Sequence, residues 1–178
     1  MLRDALLRNA PQHEAKRKQG RTRMPKVDIA KVPVKSGTFY PSPYDEECRG
    51  RHKQALGDAV GLTQFGVNLT RIEPGAASAQ RHWHREEDEF IYMLEGELVL
   101  EEDGGETVLR SGDAAGFKAG SGNGHRLINR TGRDAVYFEV GTRAQFEHVV
   151  YPDIDLIMER EQKSRRYMHK NGKPYPPA

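Results

Sequence analysis

Residues 75–96 read GAASAQRHWHREEDEFIYMLEG and residues 112–129 read GDAAGFKAGSGNGHRLIN, and on these two stretches the reading of the whole chain turns. Side chains two apart on a strand share a face, so His82 and His84 can look one way while Trp83 looks the other. Glu89 lies five positions beyond His84, an odd offset that an unbroken strand would send to the opposite face. A turn or bulge within residues 85–88 is therefore expected to reset the phase, after which Glu89, Ile91 and Met93 share the inner face. His125 opens a further apolar run, behind the glycine-rich loop 120–124. Three imidazoles and one carboxylate arriving from three segments can converge on a single metal ion.

Working outward, the chain reads as short strands broken by turns. Phe65, Val67 and Leu69 share one strand face, as do Val136, Phe138 and Val140, and Leu98-Val99-Leu100 and Thr107-Val108-Leu109 are further strand-like runs. Turns are signalled at Asp103-Gly104-Gly105, Ser111-Gly112-Asp113 and Thr131-Gly132-Arg133. Strands at this spacing, with no alternation of helix and strand, predict an all-β sandwich or barrel. Residues 27–62 read as irregular, broken by Pro33, Pro41 and Pro43, with Phe39, Tyr40 and Tyr44 packing against the outside of the barrel. Beyond Tyr151, the period-two set Ile154, Leu156 and Met158 suggests strand, with helix open for 156–167, and Asn171-Gly172 marks a tight hairpin turn.

The residues Gly75, His82, His84, Glu89 and Gly96 resemble the first motif of the cupin superfamily, G-x5-H-x-H-x3/4-E-x6-G, with one additional residue before His82. Gly112, Gly120, His125 and Asn129 resemble the second, G-x5-P-x-G-x2-H-x3-N. Lys118 stands where that motif has proline, and two more residues separate Gly120 from His125. The resemblance covers roughly residues 60–142, and the wider run is similar to a group of small bacterial cupins. It implies a single double-stranded β-helix (jelly-roll) barrel over 63–142, flanked by 27–62 and a carboxyl-terminal extension, 143–178. It also implies that His82, His84, Glu89 and His125 hold one divalent transition metal. Such a donor set suits Fe, Mn, Ni, Zn or Cu alike.

Two functional classes stay open on this reading. One is a metal-dependent oxygenase or isomerase acting on a small oxygen-rich molecule, the metal serving as Lewis acid or oxygen activator. The other is a non-catalytic binding or sensing module. In either, Ile91, Met93, Phe117 and Leu127 are candidate walls of the ligand pocket. Tyr137 and Glu139 share a strand face and can point inward, although a hydrogen-bonded structural pair is the plainer reading. Glu86, Glu87 and Asp88 read as a solvated acidic turn, Asn129 as a turn or supporting hydrogen-bonding residue, and Trp83 as packing.

Composition narrows the field. The 178 residues suffice for one domain with extensions. No stretch approaches the ~20 apolar residues that span a bilayer. The lone Cys48 has no internal disulfide partner, so a reducing cytoplasm is expected, with Cys48 itself inert. Residues 1–26 hold eight Lys or Arg against Asp4 and Glu14, a surplus of six positive charges. The 20 basic and 24 acidic residues that remain leave the body at −4. The arm reads as a disordered extension rather than a nucleic-acid contact, since no aromatic or motif accompanies its charge. Met24-Pro25 reads as an alternative start, which would leave residues 1–23 upstream of the native chain, and residues 2–7 lack the apolar run of a secretory signal. No pair of amphipathic helices precedes the barrel to suggest a helix-turn-helix. A homodimer is the expected assembly.

Overall fold

The computed structural model describes residues 26–162 and 164–176, so the basic arm up to residue 25 and the alternative start at Met24 lie outside the described residues. The first two strands, β1 (Val34–Ser36) and β2 (Arg51–Ala55), arise in the segment read as irregular. They pair antiparallel with each other, and β2 pairs with β3 (Phe65–Ile72), which corrects the expectation that 27–62 packs on the barrel from outside. Proline breaks the helices that this segment cannot form, but it leaves the proline-free run 51–55 free to pair. A four-residue helix, α1 (Leu56–Ala59), turns the chain between β2 and β3.

The remaining strands are β4 (Trp83–His84), β5 (Glu89–Glu95), β6 (Glu97–Glu102), β7 (Gly105–Arg110), β8 (Ala114–Phe117), β9 (His125–Ile128), β10 (Ala135–Thr142), β11 (Phe146–Tyr151), β12 (Leu156–Glu161) and β13 (Ser164–Met168). They form three sheets, ordered β1-β2-β3-β10-β5-β8, β13-β12-β11-β4 and β7-β6-β9, which together build the expected double-stranded β-helix. β12 and β13 pair antiparallel, so the helical alternative for 156–167 falls. The turn at Asn171-Gly172 folds as expected, with Gly172 at φ +85° and its amide donating to the His169 carbonyl. Gly96 joins β5 to β6 at φ +78°, and a Cβ there would meet the Asp134 carbonyl at 2.7 Å. The spacing that closes the first motif thus has a steric cause.

The main core gathers Ile72, Met93, Leu98, Leu100, Leu109, Leu127 and Ala135 from two sheets. A second cluster, Val149, Tyr151, Leu156 and Met158, packs with Tyr40 and Tyr44. Those two tyrosines therefore serve the carboxyl-terminal hairpin rather than the outside of the barrel, and Phe39 is 63% exposed. Tyr40 meets Tyr151 and Tyr167 edge-on at 5.5 and 5.8 Å. Val67, Leu69, Phe138 and Val140 sit on the outward face of β3 and β10. Their partners in alternation, Asn68, Tyr137 and Glu139, line an interior cavity. Cys48 is wholly buried in a short 3-10 turn, where burial pushes its thiol up to about 11, as befits an inert cysteine. Among the described residues no helix is long and apolar enough to cross a membrane.

Candidate metal centre and cavity

His82 and His125 lie opposite one another and exchange both backbone hydrogen bonds, His82 N to His125 O at 3.1 Å and His125 N to His82 O at 2.8 Å. Directly opposed residues of an antiparallel pair present their side chains on the same face. Arg81 pins this bridge by donating to both carboxylate oxygens of Asp153 at 2.6 Å and pairing with Asp103. His84 follows on β4, held against β11 by its register with Val149, and its carbonyl accepts the Gly120 amide at 2.8 Å. The loop 85–88 then resets the phase as expected, and Glu89 opens β5 facing inward. Gly141 stands opposite Glu89 with no side chain to crowd the Glu89 stem.

The four side chains meet. Around Glu89 Oε2 stand His125 Nε2 at 3.1 Å, His84 Nε2 at 3.3 Å and His82 Nε2 at 3.9 Å. Ligand atoms that are neighbours on an ion with bonds of ~2.1 Å lie about 3.0 Å apart in octahedral and about 3.4 Å apart in tetrahedral geometry. The His125 and His84 separations match that range, while His82 stands farther off at 3.9 Å, with the ligand atoms of His82, His84 and Glu89 all within 4.8 Å of one another. The proton positions agree: His82 Nδ1 donates to the Gln80 carbonyl at 2.8 Å, so a neutral His82 turns the lone pair of Nε2 toward the carboxylate. A lone pair and an anionic oxygen facing each other call for a cation between them, and the residues fit a divalent ion. Burial, followed by the neighbouring His84 and His125, pushes His82 down to about 3, so it stays neutral and able to ligate. Burial acts to raise the pKa of Glu89, but His84, the His125 hydrogen bond and His82 outweigh it and hold the carboxyl well below the usual range.

The candidate ligands come from three sheets, His84 from the β4 sheet, Glu89 from the β5 sheet and His125 from the β9 sheet, with His82 just ahead of β4 and bridged to His125. His125 is further fixed by Phe117, stacked on it at 3.6 Å with rings parallel to within 1°. Behind His84 stand two carboxylates that sequence reasoning did not assign to the site. Glu147 Oε1 lies 3.8 Å and Glu87 Oε2 3.9 Å from His84 Nδ1. These distances are too long for hydrogen bonds, but their charge favours a proton on Nδ1 and leaves Nε2 for the metal. Glu87 is only 7% exposed, accepts from the Ala144 amide and pairs with Arg160, which corrects the reading of Glu87 as solvated, while its neighbours Glu86 and Asp88 are exposed. Glu147 Oε1 accepts the amides of Arg85, Glu86 and His148. The available signal was phase: Glu147 alternates in step with Val149 and Tyr151 on the buried side of β11.

The centre opens on a cavity of about 420 Å³, within the range that holds a small-molecule ligand. Ile91, Phe117, Leu127, Tyr137 and Glu139 are among the residues that line it. Met93 does not: it is wholly buried in the apolar core, because the inner face of β5 leaves the cavity floor after Ile91. Tyr137 and Glu139 are no mutually bonded pair. Glu139 Oε1 accepts from Lys53 Nζ at 2.5 Å and Asn68 Nδ2 at 3.2 Å, and burial, then the charge of Glu139, raises the pKa of Tyr137 so that its phenol stays protonated. Asn129 is wholly buried, donating to the carbonyls of Ile72 and Arg133 in the supporting role expected of it.

Comparison with known proteins places these observations. A family model for the cupin domain matches residues 68–141. A sugar phosphate isomerase from a cupin superfamily, from Silicibacter pomeroyi, is 43% identical with a TM-score of 0.82, covering 85% of this chain and 97% of its own. A candidate sugar phosphate isomerase from Acidithiobacillus ferrooxidans is 28% identical with a TM-score of 0.64, over 72% of this chain and 81% of its own. The polyketide cyclase RemF from Streptomyces resistomycificus, 19% identical with a TM-score of 0.56 over 67% of this chain and 80% of its own, shares the fold. No curated protein matches in sequence.

Proposed function

The chain belongs to the cupin superfamily, and from that premise we propose that it is a metal-dependent isomerase of small phosphorylated sugars. One observation carries the reading: three imidazole Nε2 atoms surround a single carboxylate oxygen in the wall of a cavity that also holds a second carboxylate, Glu139. The 43% identical sugar phosphate isomerase supports the choice of isomerase over oxygenase.

Interconverting an aldose and its ketose removes a proton from the carbon beside the carbonyl and returns one to the former carbonyl carbon. Hydroxyl and carbonyl exchange places, and no oxidant or second substrate is consumed. A divalent ion held by His82, His84, Glu89 and His125 supplies Lewis-acid polarisation of the oxygens involved. Glu139 lies on β10 opposite Ile91, one inward position beyond Gly141, which faces Glu89, so its carboxylate flanks the centre. Both of its bonds fall on Oε1, which leaves Oε2 to take the proton and give it back. Lys53 and Asn68 hold the carboxylate in place between the two transfers. Ile91, Phe117 and Leu127 give the cavity apolar walls that exclude water from the exchange.

The test joins metal analysis to an interconversion assay over a panel of aldose and ketose phosphates. Protein purified without chelator is expected to carry near one transition ion per chain and to interconvert at least one pair. His84→Ala is expected to lose both properties. Glu139→Gln is expected to keep its metal and lose turnover by a factor on the order of 10²–10⁴, as for loss of a positioned acid-base group. Metal-loaded protein that converts no member of the panel, or a Glu139→Gln variant at full rate, overturns the reading.

A further inference from the structure

We infer that the cavity contains a phosphoryl-binding subsite built from Thr38, Arg51 and Lys53, which seats the phosphorylated end of the ligand while its other end meets the histidines. The inference rests on the reading of the cavity as a sugar phosphate site, and deepens it by naming the residues that recognise the phosphate.

Arg51 and Lys53 are two apart on β2, so both side chains enter the cavity, while His52 between them turns away to Ser36 and Glu73. In the sheet order, β2 stands three strands from β5, which carries Glu89. At ~4.8 Å per strand that is about 14 Å of arc, a separation that the long Arg51 and Lys53 side chains shorten to the reach of a five- or six-carbon phosphate ester. Arg51 Nη1 donates to the Gly37 carbonyl at 3.3 Å, and the Gly37 amide donates to the Arg51 carbonyl at 2.8 Å, so residue 38 follows directly on the guanidinium's anchor.

Two polar atoms here are unsatisfied. Thr38 Oγ1 and Arg51 Nε are both shielded from water, both belong to residues lining the cavity, and neither finds a hydrogen-bond partner among the described residues. A buried donor without a partner is costly, and two of them on neighbouring residues of the cavity wall call for an acceptor beside them. Lys53 Nζ spends one of its three donors on Glu139 and keeps the others.

Charge leads to the same ligand. Within the cavity, the cations Arg51 and Lys53 balance the carboxylates Glu89 and Glu139. Asp58, at the edge, is paired with Arg143. Counting Glu147 behind His84 as well, a divalent ion on the histidines leaves one positive charge uncompensated in a buried space, which an anionic phosphate monoester, carrying about −1.5 to −2, offsets together with the cations at the edge. A neutral sugar would leave that surplus standing. Arg165, laid over the Phe39 ring at 5.7 Å, and Lys35 add further positive charge at the mouth, where an anion enters.

The decisive experiment titrates inorganic phosphate calorimetrically into the full-length protein as purified and after chelation, with Thr38→Val and Arg51→Gln alongside, metal content and circular dichroism being recorded for each. A parallel arm compares a sugar phosphate with its unphosphorylated parent sugar. Wild type is expected to bind phosphate, and to bind the phosphorylated sugar more tightly than the parent. Thr38→Val, nearly isosteric, is expected to weaken phosphate about tenfold and Arg51→Gln on the order of a hundredfold, with metal content unchanged. Should Arg51→Gln fail to fold, Thr38→Val decides alone. Absence of phosphate binding, equal affinity in wild type and Thr38→Val, or no preference for the phosphorylated sugar overturns the subsite. Wild type that carries no metal as purified and converts no sugar phosphate, yet binds phosphate more tightly than Thr38→Val does, sinks the proposed isomerase while the subsite stands.

Discussion

At the scale of single residues, His84 depends on a carboxylate sixty-odd positions away in sequence. Its Nε2 serves the centre only if Nδ1 keeps the proton, and Glu147, whose Oε1 also gathers three backbone amides from residues 85, 86 and 148, places negative charge on that side. Glu147→Gln keeps the shape and removes the charge. It is expected to lower metal affinity by about 10–100-fold, the usual effect of losing a partner behind a ligand, and competition with a fluorescent chelator measures it directly. Unchanged affinity would restrict Glu147 to holding the loop. The spacing of His82, His84 and Glu89 was legible because it follows from strand parity and one interruption. Glu87 and Glu147 were not, because their roles depend on which strand lies beside β4.

At the scale of elements, β4 is two residues long and owes its place to its neighbour. It pairs with β11, which pairs with β12, which pairs with β13, so the carboxyl-terminal hairpin buttresses the strand that carries His84. Leu156 on β12 is wholly buried among Val149, Tyr151 and Met158. Leu156→Ala is expected to cost about 2–5 kcal/mol in denaturant unfolding and to loosen metal binding although it touches no ligand; retention of wild-type affinity would show that β4 is fixed without the hairpin. The same scale explains the inversion in β3 and β10. Apolar residues at period two normally mark the inner face of a strand, yet Val67, Leu69, Phe138 and Val140 look outward and Asn68, Tyr137 and Glu139 look in. A barrel that encloses a polar ligand site needs polar residues inside, and the usual rule reverses along the strands that line it.

Across the whole molecule, the proposed metal centre would act as a cross-link. Its ligands come from all three sheets, so an ion bound there opposes their separation and acts on global stability. At free metal one hundred times the dissociation constant, binding the folded state alone adds about 2.7 kcal/mol, worth roughly 5–10 °C in a chain of this size. Chelation is therefore expected to lower the thermal midpoint by about that much in wild type and not at all in His84→Ala; equal shifts would place the stabilising ion elsewhere. The sequence by itself determined the all-β fold, the four candidate ligands and part of the cavity's wall, because strand parity, glycine turns and motif spacing are local and survive in one dimension. Only the tertiary structure decided that Met93 belongs to the core, that the stretch before the barrel brings Thr38, Arg51 and Lys53 to the cavity, and that Glu87 and Glu147 stand behind His84. Those facts follow from which distant strands pair and in what register, and pairing energy is spread over contacts between segments whose own residues carry no record of their partners.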